Sequence, residues 1–148
     1  MRKIFVKVLA AWIGLAGPVA SAELFSAKRT VIAILADELF VGEAEGHLSG
    51  AGTLVIHSQK NRDLICLGQF TSSALLGGSG QMNCSDGATA TFRFQRLSVF
   101  RGHGVGSFSR GTMSFAYGIA HEEVGTYLKL PEGKKLALNG TELALVDR

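Results

Sequence analysis

Acidic residues are missing from the first 22 positions of this 148-residue chain, tryptophan occurs once, at Trp12, and cysteine only twice, at Cys66 and Cys84. The acid-free stretch carries three bases, Arg2, Lys3 and Lys7. Without it the remaining 126 residues hold 12 Lys+Arg and 12 Asp+Glu, so the formal charge of +3 belongs to the leader. A neutral remainder excludes nucleic acid as an expected partner, because binding it needs an excess of Lys and Arg to displace counterions. Charged residues make up only 18% against 47% hydrophobic ones, which excludes a disordered chain. The 19 glycines follow no three-residue period, which excludes collagen. A chain of this size buries roughly two thirds of the surface it exposes unfolded, enough for one core without a metal.

Residues 1–22 have the parts of a cleaved secretory signal: a basic start at Arg2-Lys3, an apolar run from Val8 to Gly17, and the small residues Ala20-Ser21-Ala22 after Pro18. Cleavage is expected before Glu23, leaving a single β-rich domain over 23–148. The apolar run is about half the roughly 20 residues that a membrane-spanning helix needs, so no stable membrane insertion is expected after cleavage. With no cysteine near the cut, the expectation is a soluble bacterial envelope protein, periplasmic or secreted. In such an oxidising compartment Cys66 and Cys84 are expected to pair as a structural disulfide. Alternation puts Cys66 on the face of Leu64 and Phe70, and Cys84 on that of Met82, so both thiols point to the core.

Period-two patterns bounded by glycine dominate the chain beyond the leader. Phe40 to Gly46 reads as a strand with one face of small residues, Thr53 to His57 as a β-branched strand, and Thr91 to Gln95 as one with Phe92 and Phe94 inward. Thr112 to Ile119 is expected to put Met113, Phe115, Tyr117 and Ile119 on one face. Asn139-Gly140 suits a tight turn, predicting a C-terminal hairpin of Lys135–Leu138 with Thr141–Leu145. His121 to Leu128 hints at a short helix near residues 120–128, and the run Thr30 to Leu35 is too short and uniform to separate strand from helix. Three Gly-x-Gly-x-apolar units, at Gly50, Gly78 and Gly104, are read as strand openings that let a sheet curve. Gly102 to Gly106 is taken as a glycine-rich loop. The fold class expected is mainly β: an antiparallel meander forming a curved sheet or small barrel.

Candidate chemistry is sparse. His47, His57, His103 and His121 show no metal-ligand spacing, so no metal and no cofactor are expected. No serine has the spacing of a nucleophile elbow. Glu43 and Glu45, two apart on a strand, share a face and could serve as an acid-base pair on a cell-wall sugar, an alternative hydrolase reading. Arg93, Arg96, Arg101 and Arg110 cluster in sequence among Phe94, Phe100 and Phe108, and guanidinium groups fork onto carboxylates and phosphates. These four are the candidate partner-binding residues, for a protein or an anionic polymer of the cell envelope. The leading functional expectation is therefore a non-catalytic envelope binding or structural protein.

The segment Met82-Asn83-Cys84-Ser85-Asp86-Gly87-Ala88-Thr89-Ala90-Thr91-Phe92 is similar to the Cys-x-x-Gly hairpin that opens periplasmic inhibitors of C-type lysozyme. Those are small β-barrels with a disulfide, so the resemblance implies an exported β-domain and, as a further alternative, a lysozyme-inhibitor-like activity. Their Ser-Gly-x-Arg-Tyr type loop, which enters the lysozyme cleft, has no counterpart here.

Overall fold

A computed structural model describes residues 26–73 and 76–148. The leader, its cut site and Glu23 lie outside the described residues. Eight antiparallel strands run as a meander and close into a barrel: β1 (Ser26–Leu35), β2 (Glu38–His47), β3 (Ala51–Ser58), β4 (Ile65–Ser73), β5 (Gly77–Cys84), β6 (Thr89–Ser98), β7 (Arg101–Phe108) and β8 (Gly111–Tyr117). Closure comes from β1 pairing with β8, with Val31 opposite Tyr117 and Leu35 opposite Met113. A short helix α1 (His121–Val124) and a hairpin of β9 (Lys134–Asn139) with β10 (Glu142–Asp147) follow.

Because side chains alternate across a strand, each strand sends every second residue into the barrel. Leu35, Phe40, Ile56, Cys66, Met82 and Phe108 fill one end, all buried. Cys66 and Cys84 sit directly opposite each other on β4 and β5 and form the disulfide, with an S–S distance of 2.01 Å, inside this packed end. Such a bond is compatible with an oxidising, exported location. The outer face of the central strands is largely polar, with Gln69, Thr71, Gln81, Asn83, Thr91, Arg93 and Gln95 exposed beside the scattered apolar side chains of Val55, Ile65, Leu67 and Val105. Among the described residues no helix is long and apolar enough to cross a membrane.

A second core lies outside the barrel. Ile32, Ile34, Leu39 and Ala116 point outward from β1, β2 and β8 and are covered by Val124, Leu128 and Leu143. Gln59 Nε2 donates to the Leu143 carbonyl at 3.0 Å and Arg62 pairs with Glu142, tying the hairpin to the β3–β4 loop. Residues 31–35 of β1 are thus buried on both faces, so their sequence shows no alternation.

Several boundaries differ from the sequence reading. Gly102 to Gly106 is not a loop but the body of β7, and the third Gly-x-Gly unit therefore lies within a strand rather than at its opening. Ile119 leaves the face of Met113, Phe115 and Tyr117, because Gly118 turns the chain at φ 66° and sends Ile119 to the outer core. The helix is confined to His121–Val124. The hairpin pairs Lys134–Asn139 with Glu142–Asp147, so its first strand extends further at both ends and its second starts and ends later than the turn chemistry alone suggests.

At the β5–β6 turn, the Asp86 carboxylate accepts from the Ala88 N–H at 3.0 Å and pairs with Arg110 at 2.6 Å. The Ala88 amide first, and Arg110 second, hold its pKa below the usual carboxylate range. A depressed carboxylate stabilises the fold above its unfolded pKa, and that contribution is lost as pH falls through the folded one. Asp86→Asn should accordingly reduce the loss of stability between neutral and acid pH, read from denaturant midpoints on either side of the carboxylate range.

Candidate functional site: the open half of the barrel

An eight-stranded barrel has an interior that side chains either fill or line around one small ligand. Here the two ends differ. At the end holding the disulfide the inward residues are large; at the other, β2 contributes only Gly42, Ala44 and Gly46, and β7 only Gly102, Gly104 and Gly106. The space left is a cavity of about 670 Å³, within the roughly 300–1,000 Å³ typical of small-molecule sites.

Its walls are apolar and largely aromatic. Leu54, Ile56 and Met113 form the floor with Phe92 and Phe115, while Phe70, Phe94, Tyr117 and, opposite Tyr117, Val31 stand higher on the wall. Phe92 and Phe115 meet edge to face at 5.2 Å between centroids, Phe94 and Tyr117 at 5.9 Å, and Phe70 and Phe94 at 5.7 Å. Each phenylalanine ring lies over a glycine of the neighbouring strand. Phe70 is paired with Gly52, Phe92 with Gly80, Phe94 with Gly78 and Phe115 with Gly104. A Cβ on Gly52 would come within 2.1 Å of the Phe70 ring, and one on Gly80 within 2.5 Å of Phe92. These glycines make room for a ring to lie against the wall and leave the middle open. Gly46 differs, since its nearest atom is the Phe70 ring at 3.9 Å.

The mouth is where charge enters. Phe92, Phe94 and Arg96 follow one another on the inward phase of β6, so Arg96 lines the cavity above the two rings. Its guanidinium donates to Ser72 Oγ at 2.6 Å and to the Val99 carbonyl at 3.3 Å, and Nε is buried with no partner among the described residues. A register shift between Arg96 and Ser98 breaks the β6–β7 ladder here and brings Val99 and Phe100 to the rim. Arg29 enters from β1, two residues before Val31 on the same inward phase, and its guanidinium lies 4.3 Å from the centre of the Phe100 ring. Among the described residues neither arginine pairs with a carboxylate, and the cavity lining contains none. Burial holds the Tyr117 hydroxyl above its usual range, with the Arg96 charge opposing in part, so it stays protonated at neutral pH.

The four arginines singled out from the sequence do not share one surface. Arg96 is inside the mouth. Arg93 points outward from the middle of β6, opposite Val105, in an outer depression with Gln95 and His103. Arg101, at the start of β7, pairs with Glu123 at 3.0 Å. Arg110 pairs with Asp86 at the far end of the barrel, at the β7–β8 turn. Glu43 and Glu45 share the outer face of β2, opposite Thr30 and Lys28 of β1, and neither lines the cavity. Among the described residues no group of three His, Cys, Asp or Glu is placed to hold a metal. Arg29 carries no sequence signal of its own; the alternation Arg29-x-Val31-x-Ala33 marks its inward phase only once β1 is known to be a strand.

No family model, curated protein or solved structure matches this chain.

Proposed function

We propose that this protein is an exported, non-catalytic binding protein of the bacterial envelope, periplasmic or secreted, that holds a small apolar ligand inside its barrel. One observation carries the reading: a closed barrel packed solid at its disulfide end keeps an aromatic-lined cavity of about 670 Å³ at the other. Empty apolar volume inside a protein forgoes dispersion contacts that a filling side chain would make; here Ala44 and Gly46 of β2 line that volume, and Gly102 and Gly104 of β7 let the Tyr117 and Phe115 rings lie back against the wall. The disulfide, directly across β4 and β5, supports an oxidising location. Two alternatives draw less support. A hydrolase built on Glu43 and Glu45 would work on the outer face, away from the cavity. A lysozyme-inhibitor-like protein rests on the turn around Asp86, whose carboxylate is engaged by Arg110.

A neutral apolar fluorophore such as N-phenyl-1-naphthylamine should bind the wild type with enhanced emission. Gly46→Leu should abolish that binding while leaving the thermal midpoint within a few degrees, because a side chain there extends into open cavity rather than into backbone. Equal binding by wild type and Gly46→Leu, or no binding by either, would reject the reading.

A further inference from the structure

We propose that the ligand is a single-chain amphiphile with an anionic oxyanion head, held at the mouth by Arg96 and Arg29 while its chain lies among Val31, Leu54, Phe92 and Met113. This rests on the binding reading above and adds the chemistry of the head group.

The ladder of strand pairs sets the geometry. Arg96 is opposite Gly102, Gly102 is opposite Tyr117, and Tyr117 is opposite Val31. These four positions form one level across β6, β7, β8 and β1, and Arg29 lies one inward step nearer the open end. The two guanidinium groups therefore stand at and just above the level where the apolar wall ends. Gly102, between Arg96 and Tyr117, seats the Tyr117 side chain, whose hydroxyl oxygen would lie 2.3 Å from a Cβ at that position.

Charge decides what that head group is. The ionisable side chains of the lining are Arg29, Arg96, His47 and Tyr117, with no Asp or Glu among them. Elsewhere on the described surface Arg62, Arg101, Arg110 and Lys134 each have a carboxylate partner, and the lysines and arginines that lack one, such as Lys28 and Arg93, are exposed to water, whereas Arg29 and Arg96 are half-buried. Arg29 and Arg96 both stand at the edge of an apolar cavity, so each keeps only part of its water and a fixed counter-anion is favoured there. Arg96 is already oriented, by Ser72 Oγ and the Val99 carbonyl, and its buried Nε remains a donor without an acceptor among the described residues. Buried donors are almost always satisfied in the working state of a protein. Arg29 is braced by the Lys28 carbonyl at 2.6 Å and by the Phe100 ring. Planar guanidinium groups pair with carboxylate and phosphate oxygens alike, so the shared chemistry is an oxyanion on a long apolar chain, whether a free fatty acid or a lipid phosphate.

The test is calorimetric titration of the delipidated protein with dodecanoate, dodecyl phosphate and dodecanol, with acetate and inorganic phosphate as chainless controls. At least one of the two anionic dodecyl compounds should bind tenfold or more tighter than dodecanol, and the chainless anions should bind at least a hundredfold more weakly. The tighter of the two anions identifies the source, fatty acid or lipid phosphate. Arg96→Met should remove most of the preference for the anion while leaving dodecanol affinity unchanged, Arg96→Lys should restore part of it, and Arg93→Met on the outer face should change nothing. Equal affinities for the anions and the alcohol, or a preference that survives in the Arg29→Met/Arg96→Met double variant, would overturn the head-group assignment and leave the apolar binding reading standing. Failure of all three dodecyl compounds to bind would overturn both. Chainless anions binding as tightly as the dodecyl anions would reduce the site to a simple anion site and overturn the amphiphile.

Discussion

Replacing Cys66 and Cys84 together with alanine should lower the unfolding free energy by about 2–4 kcal/mol. The bond closes a loop with a sequence separation of 18, joining two directly opposed residues at the end where the barrel is packed most tightly. Cys66 is fully buried and Cys84 nearly so. Two effects therefore add: loss of the crosslink in the unfolded chain, and a void where two sulfurs met Ile56 and Met82 in the same core. Denaturant titration of wild type and double variant at equal pH measures it directly. Since the cavity lies at the opposite end, a double variant that still folds should retain affinity for an apolar ligand. A shift below about 0.5 kcal/mol, the size usual for an exposed substitution, would mean that the disulfide does not anchor this end.

Gly80→Val should destabilise by about as much, at or above the roughly 1–3 kcal/mol usual for overpacking. A Cβ there would lie 2.4 Å from the Gln69 carbonyl oxygen and 2.5 Å from the Phe92 ring, and the first of these atoms belongs to the backbone of β4 and cannot rotate away. Gly46→Ala supplies the contrast. Its Cβ would meet only the Phe70 ring at 3.9 Å, so that change should be neutral or stabilising by a few tenths of a kcal/mol, through a less flexible unfolded chain. Two inward glycines on one barrel with opposite responses would separate glycines that seat a ring from glycines that keep a cavity empty. If both substitutions behaved alike, the pairing of rings with glycines would not be what shapes the interior.

Much of this architecture is legible in the residues, because alternation reports which face is buried. Thr91-Phe92-Arg93-Phe94-Gln95 reads as a strand with its phenylalanines inward, and the small face of Gly42, Ala44 and Gly46 is visible in β2. The ambiguity of Thr30 to Leu35 has a physical cause: Val31, Ala33 and Leu35 face the barrel while Ile32 and Ile34 face the hairpin, and burial on both sides erases the period. Local sequence presents the Gly-x-Gly units as places where a sheet curves; in the barrel a Cβ on Gly78, Gly80 or Gly104 would meet a neighbouring strand's carbonyl oxygen at 2.0, 2.4 or 2.2 Å, and each glycine also lies under a ring from the next strand, a relation that depends on register.

The site is harder to read than the fold. In the sequence Arg96 stands out only as one of four arginines, although Phe92-x-Phe94-x-Arg96 already puts it on the inward phase. Arg29 becomes its neighbour through the closure of β1 onto β8, the first and last strands of the barrel. A cavity is a property of no single residue. It arises when Ala44 and Gly46 of β2 face a space that rings seated over the glycines of β7 leave open, and only the closed barrel brings them there.

The most direct measurement is an isotope-filtered NMR experiment on the protein with uniformly methyl-labelled side chains and an unlabelled dodecyl ligand. Nuclear Overhauser contacts from the chain to the methyl groups of Val31, Leu54, Ile56 and Met113 are predicted, since these line the inside of the cavity. Contacts confined to Leu48, Leu76, Leu97 and Val99, which are exposed on the loops and strand ends at the mouth, would put the ligand on the rim and contradict a binding site inside the barrel.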